Sequence, residues 1–216
     1  MKLTIKSSWD ALTWNEYEQI YQILESDIPS DYKAVHLISV LSNTPVEEIE
    51  KLPVSAFQRI LPHLNFLTTD AETHHHKMEY VVNGHEYDFK GVLTDITTAQ
   101  YIDYRTYIQE DEKDVVKLMS CFLIPKGHEY NDGYDMNQVR KDIGDMCWLD
   151  VRAAAFFFRI QLATYTTILK SYLKKLMRKS KAKRSEIKQM EDNLDNMVYS
   201  LVYSGCVTNL IPHLIQ

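Results

Sequence analysis

The sequence predicts a mainly α-helical, bundle-like protein with one small β-hairpin inserted between two helical units and a long helix in its C-terminal half. Three observations predict this fold class. Helix-start signals recur, apolar residues repeat at helical spacing in both halves, and the 216 residues include only six Gly and six Pro. So few turn-forming residues argue against an all-β or low-complexity chain. We expect residues 1–70 and 71–216 to form two units that pack together as one compact protein.

Capping residues predict the helices of the first unit. A Ser, Thr or Asp three residues before Glu or Gln can accept a hydrogen bond from a free N–H group while the longer side chain reaches back. Such pairs are Thr13/Glu16, Thr44/Glu47, Ser55/Gln58, Thr97/Gln100 and Asp135/Gln138. Pro45 also suits a first helical position. The predicted helices lie near residues 14–26, 31–42, 45–51 and 55–65.

A hairpin is predicted in the middle of the chain. Residues 68–76, with the sequence TTDAETHHH, are polar and without pattern, as is typical of a linker. Asn83-Gly84 then lies between two short strand-like runs. Asn and Gly tolerate the positive φ angles of a type I′ turn, so this dipeptide predicts a two-residue hairpin.

The second unit returns to helical spacing and contains the most apolar run of the chain. A long helix is predicted from about Trp148 to Lys179, and residues 153–158 are apolar on every face, so we expect neighbours on both sides. Asp150 and Arg152 interrupt the run, which favours a core helix over a membrane span. Ser185 can cap a last helix, whose apolar residues are Ile187, Met190, Leu194, Met197 and Leu201.

Two arginines of the long helix, Arg152 and Arg159, lie seven residues apart and therefore on one face among apolar residues. A buried arginine needs a partner. Asp103, Glu110 or Asp114 could supply one, as an internal or an interface ion pair.

The segment LIPKGHEYNDGYD, residues 123–135, is the strongest candidate for chemistry, because it combines a His, carboxylates, two Tyr and two Gly. A metal loop, an acid/base site and a connector are the alternatives. An EF-hand is excluded, since its closing Glu would fall on Val139. As a connector, Pro125 helps end a preceding helix, Gly127 takes the left-handed position beyond it, Gly133 allows a turn and Asp135 caps the next helix.

Four residues of that segment have no task in a connector and are candidate partner contacts: His128, Glu129, Tyr130 and Tyr134. The 14 tyrosines of the chain support a contact role, because Tyr supplies interface area at low entropic cost.

No motif of a known enzyme class is present, including GxGxxG, GxxxxGK[ST], GxSxG and HExxH. We therefore predict a non-enzymatic protein without catalytic residues, cofactor or metal; an enzyme that uses His128, Glu129 or Asp132 is the alternative. His74, His75 and His76 fit a solvated loop better than a metal site, because adjacent side chains diverge. Cys121, Cys147 and Cys206 indicate buried thiols in a reducing compartment, and the first ten residues lack a signal-peptide core.

Basic residues concentrate between Lys170 and Lys188, where nine Lys or Arg accompany one Glu for a net charge of +8. The rest of the chain carries −14, because the whole chain carries −6. This stretch could bind nucleic acid or an acidic surface, or be a solvated helix end that the macrodipole favours. The candidate contact residues are Lys170, Lys174, Lys175, Arg178, Lys179, Lys181, Lys183 and Arg184.

The order of several segments resembles a family of small proteins encoded among the morphogenesis genes of tailed bacteriophages, including crAss-like phages. The segments are VHLISVLSNTPVEEIEKLPVSAFQRI, VVNGHEYDF, DITTAQYIDYRTYI, VVKLMSCFLIPKGHEYNDGYD and AAAFFFRIQLATYTTILKSYLKK. The resemblance spans most of residues 12–178. It implies a virion-structural or tail-assembly role, in the virion and in the host cytoplasm during assembly. The implied partners are other phage structural proteins in multiple copies, with nucleic acid as an open alternative and no membrane. A tail assembly chaperone that leaves the particle is a further alternative.

Overall fold

The computed structural model describes residues 3–111 and 114–179, together with residues 188, 189, 192 and 193. The fold is mainly α with a small antiparallel sheet, as the sequence predicts. In chain order the elements are α1 (Trp14–Glu25), α2 (Ser30–Ser42), α3 (Val46–Glu50), α4 (Val54–Ile60), β1 (Glu79–Val82), β2 (His85–Phe89), α5 (Thr98–Asp111), α6 (Val115–Met119), β3 (Leu123–Pro125), α7 (Met136–Asp145) and α8 (Trp148–Lys179). A 3-10 turn, Trp9–Ala11, precedes α1, and a 3-10 helix, Leu61–Thr68, follows α4.

Two of the predicted capping boxes are confirmed. At the start of α1, Glu16 N donates to Thr13 Oγ1 at 3.3 Å and Thr13 N donates to the Glu16 carboxylate at 2.9 Å. At the start of α5, Gln100 N donates to Thr97 Oγ1 at 3.2 Å and Thr97 N donates to the Gln100 side chain at 2.8 Å. Both helices therefore begin at side chains that satisfy backbone N–H groups reciprocally.

Two other boxes are wrong, because prolines set the helix starts instead. Pro45 and Pro53 occupy the N-cap positions of α3 and α4, and neither helix has a side-chain cap. Ser55 therefore lies inside α4. Asp135 does cap α7 by accepting from Asn137 N at 2.9 Å.

The sheet has the strand order β1-β2-β3, with both pairs antiparallel. The predicted turn is confirmed, since Asn83 and Gly84 have φ angles of 52° and 82°. The third strand is a correction: residues 123–125 pair with β2 and do not end a helix, so Leu123 lies opposite Phe89. Gly127 has the predicted positive φ of 83°, although it follows a strand.

Aromatic side chains from β2, α5, α8 and the turn before β3 meet in the core beneath the sheet. Phe122 and Phe158 have ring centroids 4.0 Å apart, and Tyr104 meets Phe158 edge-on at 4.8 Å. Phe89 of β2 adds a further ring 6.5 Å from Phe122. Large aromatic surfaces dominate the energy of a core, so this cluster fixes α5 and α8 against the sheet.

The start of α1 is tied to the junction between α7 and α8. Trp14 N donates to Met146 O at 2.8 Å, and Trp148 N donates to Leu12 O at 3.0 Å. The rings of Tyr17 and Trp148 stack at 4.1 Å with an interplanar angle of 1°. These contacts hold the α7–α8 junction against the start of α1.

Helix α8 is 32 residues long and is not surrounded as predicted. Ala154 and Phe158 are buried, but the Phe156 side chain is 52% exposed. Residues 153–158 thus have one free face, because the core covers the helix from one side. No helix in the described part of the chain combines the length and apolar character that crossing a bilayer needs.

Candidate protein-contact site

A buried carboxylate, that of Asp142, joins the hairpin to α7. Its side chain has no solvent exposure. Tyr87 Oη donates to Oδ2 at 2.5 Å, and His85 Nδ1 lies 2.6 Å from the same oxygen. Asn83 Nδ2 and Gln138 Nε2 donate to Oδ1 at 2.9 and 3.0 Å. Three of these four partners belong to the hairpin, so the carboxylate closes the hairpin against the helix.

These hydrogen bonds decide the ionisation of Asp142. Burial raises the pKa of a carboxyl and is the largest single influence here, but the bonds from Tyr87, Asn83, His85 and Gln138 together outweigh it. The pKa of Asp142 is therefore lowered below 3.8, its ordinary value. Burial and the bond to this carboxylate raise the pKa of Tyr87, which keeps its proton as a donor. An ionised carboxylate only accepts, so His85 carries its proton on Nδ1.

Sequence periodicity brings these groups together. His85 and Tyr87 are two apart and lie on one face of β2, while Gln138 and Asp142 are four apart and lie on one face of α7. The turn residue Asn83, held at positive φ, reaches both Asp142 and Asp145, the latter at 3.0 Å.

A groove of about 540 Å³, here called the loop groove, opens beside this carboxylate. It lies between β2, the end of β3, the loop of residues 126–135 and α7. His85 lines it with a side chain that is 53% exposed. A His held by a buried Asp is an arrangement found in general bases. Among the described residues that line the groove, none is a Ser, Thr or Cys that such a base could activate.

A second groove, of about 340 Å³ and here called the edge groove, runs along β1. Its far wall is the α7–α8 junction, residues 145–150. Each end is closed by a contact across the groove: Lys77 Nζ lies 2.7 Å from Asp150, and Asn83 Nδ2 lies 3.0 Å from Asp145. The hairpin thus lines two grooves, the edge groove beside β1 and the loop groove beside β2.

The four predicted loop contacts lie in different surroundings. His128 and Tyr134 line the loop groove, with their rings 5.9 Å apart and nearly perpendicular. Glu129 is 80% exposed and pairs with Lys90 at 2.9 Å. Tyr130 and Tyr134 both pack against the core.

Tyr130 is a structural residue. Its Oη donates to Asp103 at 2.7 Å, and burial together with this bond raises the pKa of Tyr130. Of the predicted loop contacts, His128 and Glu129 are exposed, whereas Tyr134 lines the loop groove with its hydroxyl buried.

The predicted basic contacts fall mostly on side chains outside the described part of the chain. Lys170 is half-buried and Lys175 is exposed, both on α8. Lys174, Arg178 and Lys179 also belong to α8, but their side chains are outside the described set, as are residues 181, 183 and 184 altogether. The binding role of this stretch stays a prediction.

The consecutive histidines diverge. His74 Nδ1 lies 3.2 Å from Asp150, whereas the His76 ring stacks on Phe157 at 3.5 Å, and burial lowers the pKa of His76. Within residues 3–111 and 114–179, no group of three or more His, Cys, Asp or Glu side chains is placed to hold a metal ion. Cys121 is fully buried, and burial raises its pKa to about 12, so its thiol is unreactive at neutral pH.

The carboxylates expected to pair with Arg152 bind elsewhere. Asp103 accepts from Tyr130, Glu110 pairs with Lys117, and Asp114 caps α6. The guanidinium of Arg152 lies 5.5 Å from the centroid of the Trp148 ring, which is a cation–π contact. The side chain of Arg159 lies outside the described set.

Sequence reasoning missed an exposed apolar stripe on α8, which we call the α8 stripe. It consists of Phe156, Ile160, Ile168 and Tyr172, which are 52, 49, 62 and 58% exposed. Their spacing in multiples of four places them along a row that turns by about 160° round the helix between Phe156 and Tyr172. The spacing of these four residues is visible in the sequence. It did not predict an exposed stripe, because residues 153–158 are apolar on every face, which predicts that the helix is buried on every face.

Comparisons of the chain with protein-family models, curated proteins and solved structures found no match.

Proposed function

We propose that this protein is a non-enzymatic structural or assembly protein that acts through protein–protein contacts, and that its setting is the virion of a tailed bacteriophage, in the tail, neck or capsid region. The α8 stripe carries the proposal for the mode of action. The resemblance of segments between residues 12 and 178 to phage morphogenesis proteins supports the setting.

The α8 stripe is unusual for a surface that faces only water. Single exposed apolar residues are common, but a row of four large exposed apolar side chains, interrupted by Thr164, is typical of an interaction site. Phe and Tyr are enriched in interfaces, and both occur in the stripe. From Phe156 to Tyr172 it extends about 24 Å along the helix, at 1.5 Å per residue, which is long enough for a helix-on-helix contact.

Exchange of one apolar residue tests this role. Ile168→Lys places a charge in the stripe, and Ile102→Lys is the matched control, because Ile102 is also a helical isoleucine, 55% exposed, on α5. We expect the full-length protein to self-associate in sedimentation velocity, and Ile168→Lys to weaken association by about tenfold or more. The control should behave as the unmodified protein.

Mass spectrometry of purified virions tests the setting, since a virion component is retained and an assembly chaperone is absent. A protein that is monomeric at all concentrations, and that binds no virion or tail component, contradicts the proposal as a whole.

Nucleic-acid binding is the second candidate, because residues 170–188 carry +8 and Lys175 is exposed. It predicts DNA affinity that falls steeply with salt. Replacing Lys174, Lys175, Arg178 and Lys179 by Gln should abolish that affinity, and unchanged affinity contradicts this candidate.

A further inference from the structure

The free edge of β1 presents backbone groups without a strand partner. The strand order leaves β1 with one neighbour, β2. Phe89 N donates to Met78 O at 2.8 Å, so Met78 and Phe89 form a hydrogen-bonded pair. In an antiparallel ladder such pairs alternate, which makes Tyr80 the next bonded residue and turns the N–H and C=O groups of Glu79 and Val81 outward. Within the described residues, neither residue has a backbone bond outside the hairpin.

The edge of β1 carries only part of the protection that exposed edge strands usually have, because neither a proline nor a bulge interrupts residues 79–82. Proline, a bulge, a covering element or charged residues normally block the addition of another chain. Here Val81 is 72% exposed and Met78 is 50% exposed. The edge groove leaves open space of about 340 Å³ along the strand. The strand can therefore be extended by a short segment, with its ends set by the Lys77–Asp150 and Asn83–Asp145 contacts.

The charges around the edge groove select the occupant. Among the described residues, three carboxylates line it, those of Glu79, Asp145 and Asp150. Lys77 pairs with Asp150 and Lys126 Nζ lies 3.8 Å from Glu79, so Asp145 is the carboxylate without a described cation beside it. Asp145 receives its bond from the neutral amide of Asn83, so its charge is not neutralised by that contact. The Glu79 side chain is 70% exposed beside Val81. An added strand meets acidic groups beside apolar ones, which favours a segment in which Lys or Arg alternates with apolar residues.

We propose that the edge of β1 binds a short, extended, basic segment of a partner protein as a fourth strand of the sheet. That the ligand is a protein rests on the proposed contact function, whereas the site itself is separate from the α8 stripe. The outward groups of Glu79 and Val81 supply the backbone hydrogen bonds, and the carboxylates of the groove supply the preference for basic side chains.

One substitution separates edge binding from simple attraction to an acidic surface. Val81→Pro removes the outward N–H and fills the edge with a ring, but it leaves the ladder intact because the bonded N–H groups belong to Tyr80 and Val82. Val81→Thr keeps the N–H and is the matched control. The probe is a fluorescein-labelled six-residue peptide of alternating Lys and Val, measured by fluorescence anisotropy with the full chain. A peptide of alternating Glu and Val is its counterpart.

We expect the basic peptide to bind at least about tenfold more tightly than the acidic one, and Val81→Pro to weaken binding by about tenfold or more, since one edge hydrogen bond and strand access are lost. Val81→Thr should bind within about threefold of the unmodified protein. The proposal is overturned if the unmodified protein does not bind the basic peptide. Equal binding by a folded Val81→Pro variant, with a near-unchanged melting temperature, also overturns it. Loss of self-association in Ile168→Lys with peptide binding retained leaves this site standing, which distinguishes the two proposals.

Discussion

The junction between the hairpin and α7 differs from the outer part of α8 in how completely each region satisfies its own side chains. At the junction, a carboxylate without solvent contact receives four hydrogen bonds from inside the molecule. On α8, four large apolar side chains stay about half exposed. In the first region the buried carboxylate has all its hydrogen bonds from within the molecule. In the second region the apolar side chains gain stability only when another surface covers them. Under the proposed function, stability and partner contact therefore belong to separate parts of the molecule.

The largest effect on stability should follow from removing the Asp142 carboxylate, which joins the hairpin to α7. Asp142→Ala leaves the buried Tyr87 hydroxyl without an acceptor and removes the bonds from His85, Asn83 and Gln138, and we expect the free energy of unfolding to fall by about 1–3 kcal/mol. Urea denaturation followed by circular dichroism measures it. Asp145→Asn is the control at a less buried position and should cost about 1 kcal/mol or less. A loss for Asp142→Ala no greater than that of the control would show that the network does not hold the hairpin.

The stabilisation that Asp142 supplies should also depend on pH, and its direction is defined. The pKa of Asp142 is lower in the folded protein than its ordinary value of 3.8, so its stabilisation is complete above that value and is lost as the pH falls through the folded pKa. We expect the difference in unfolding free energy between the unmodified protein and Asp142→Asn to be constant above about pH 5 and to shrink below pH 3.8. Titration of both proteins with urea at each pH measures that difference, and a difference that grows in acid contradicts the assignment.

The smallest effect on stability should come from α8. Ile168 is 62% exposed, so Ile168→Ser should change the free energy of unfolding of the dilute protein by about 0.5 kcal/mol or less. Thermal unfolding at several protein concentrations checks this, because any stabilisation by self-association depends on concentration. A loss of several kcal/mol at low concentration would show that the α8 stripe is packed within the monomer.

Local signals in the sequence predicted local structure correctly. Asn83-Gly84 specified its turn, and Thr13 with Glu16 specified the start of α1, because each signal acts over two to four residues. The prolines at 45 and 53 show the limit of such reasoning, since a proline N-cap competed with the capping box that the side chains allowed.

Features that depend on distant residues could not be predicted. Leu123-Ile124-Pro125 forms a strand because β2 lies beside it, more than thirty residues earlier in the chain. In the sequence, Asp142 lies between the apolar residues Val139 and Ile143, and this position indicates a buried charge. The structure buries all three residues. Its partners on the hairpin are 55 to 59 residues away, and no pattern near α7 identifies them.

The backbone bonds between residues 12–14 and 146–148 bear on how the chain folds during its synthesis. Contacts between such distant residues form late in folding, because the chain must first lose the conformational entropy of the long loop between them. At about 5–20 residues per second, a ribosome takes roughly 7 to 27 seconds to extend the chain from Trp14 to Trp148. During that interval Trp14 N and Leu12 O lack their native partners, and the Tyr17 ring has no Trp148 to stack on. The N-terminal helices therefore reach their final packing only after the chain has been made as far as Trp148.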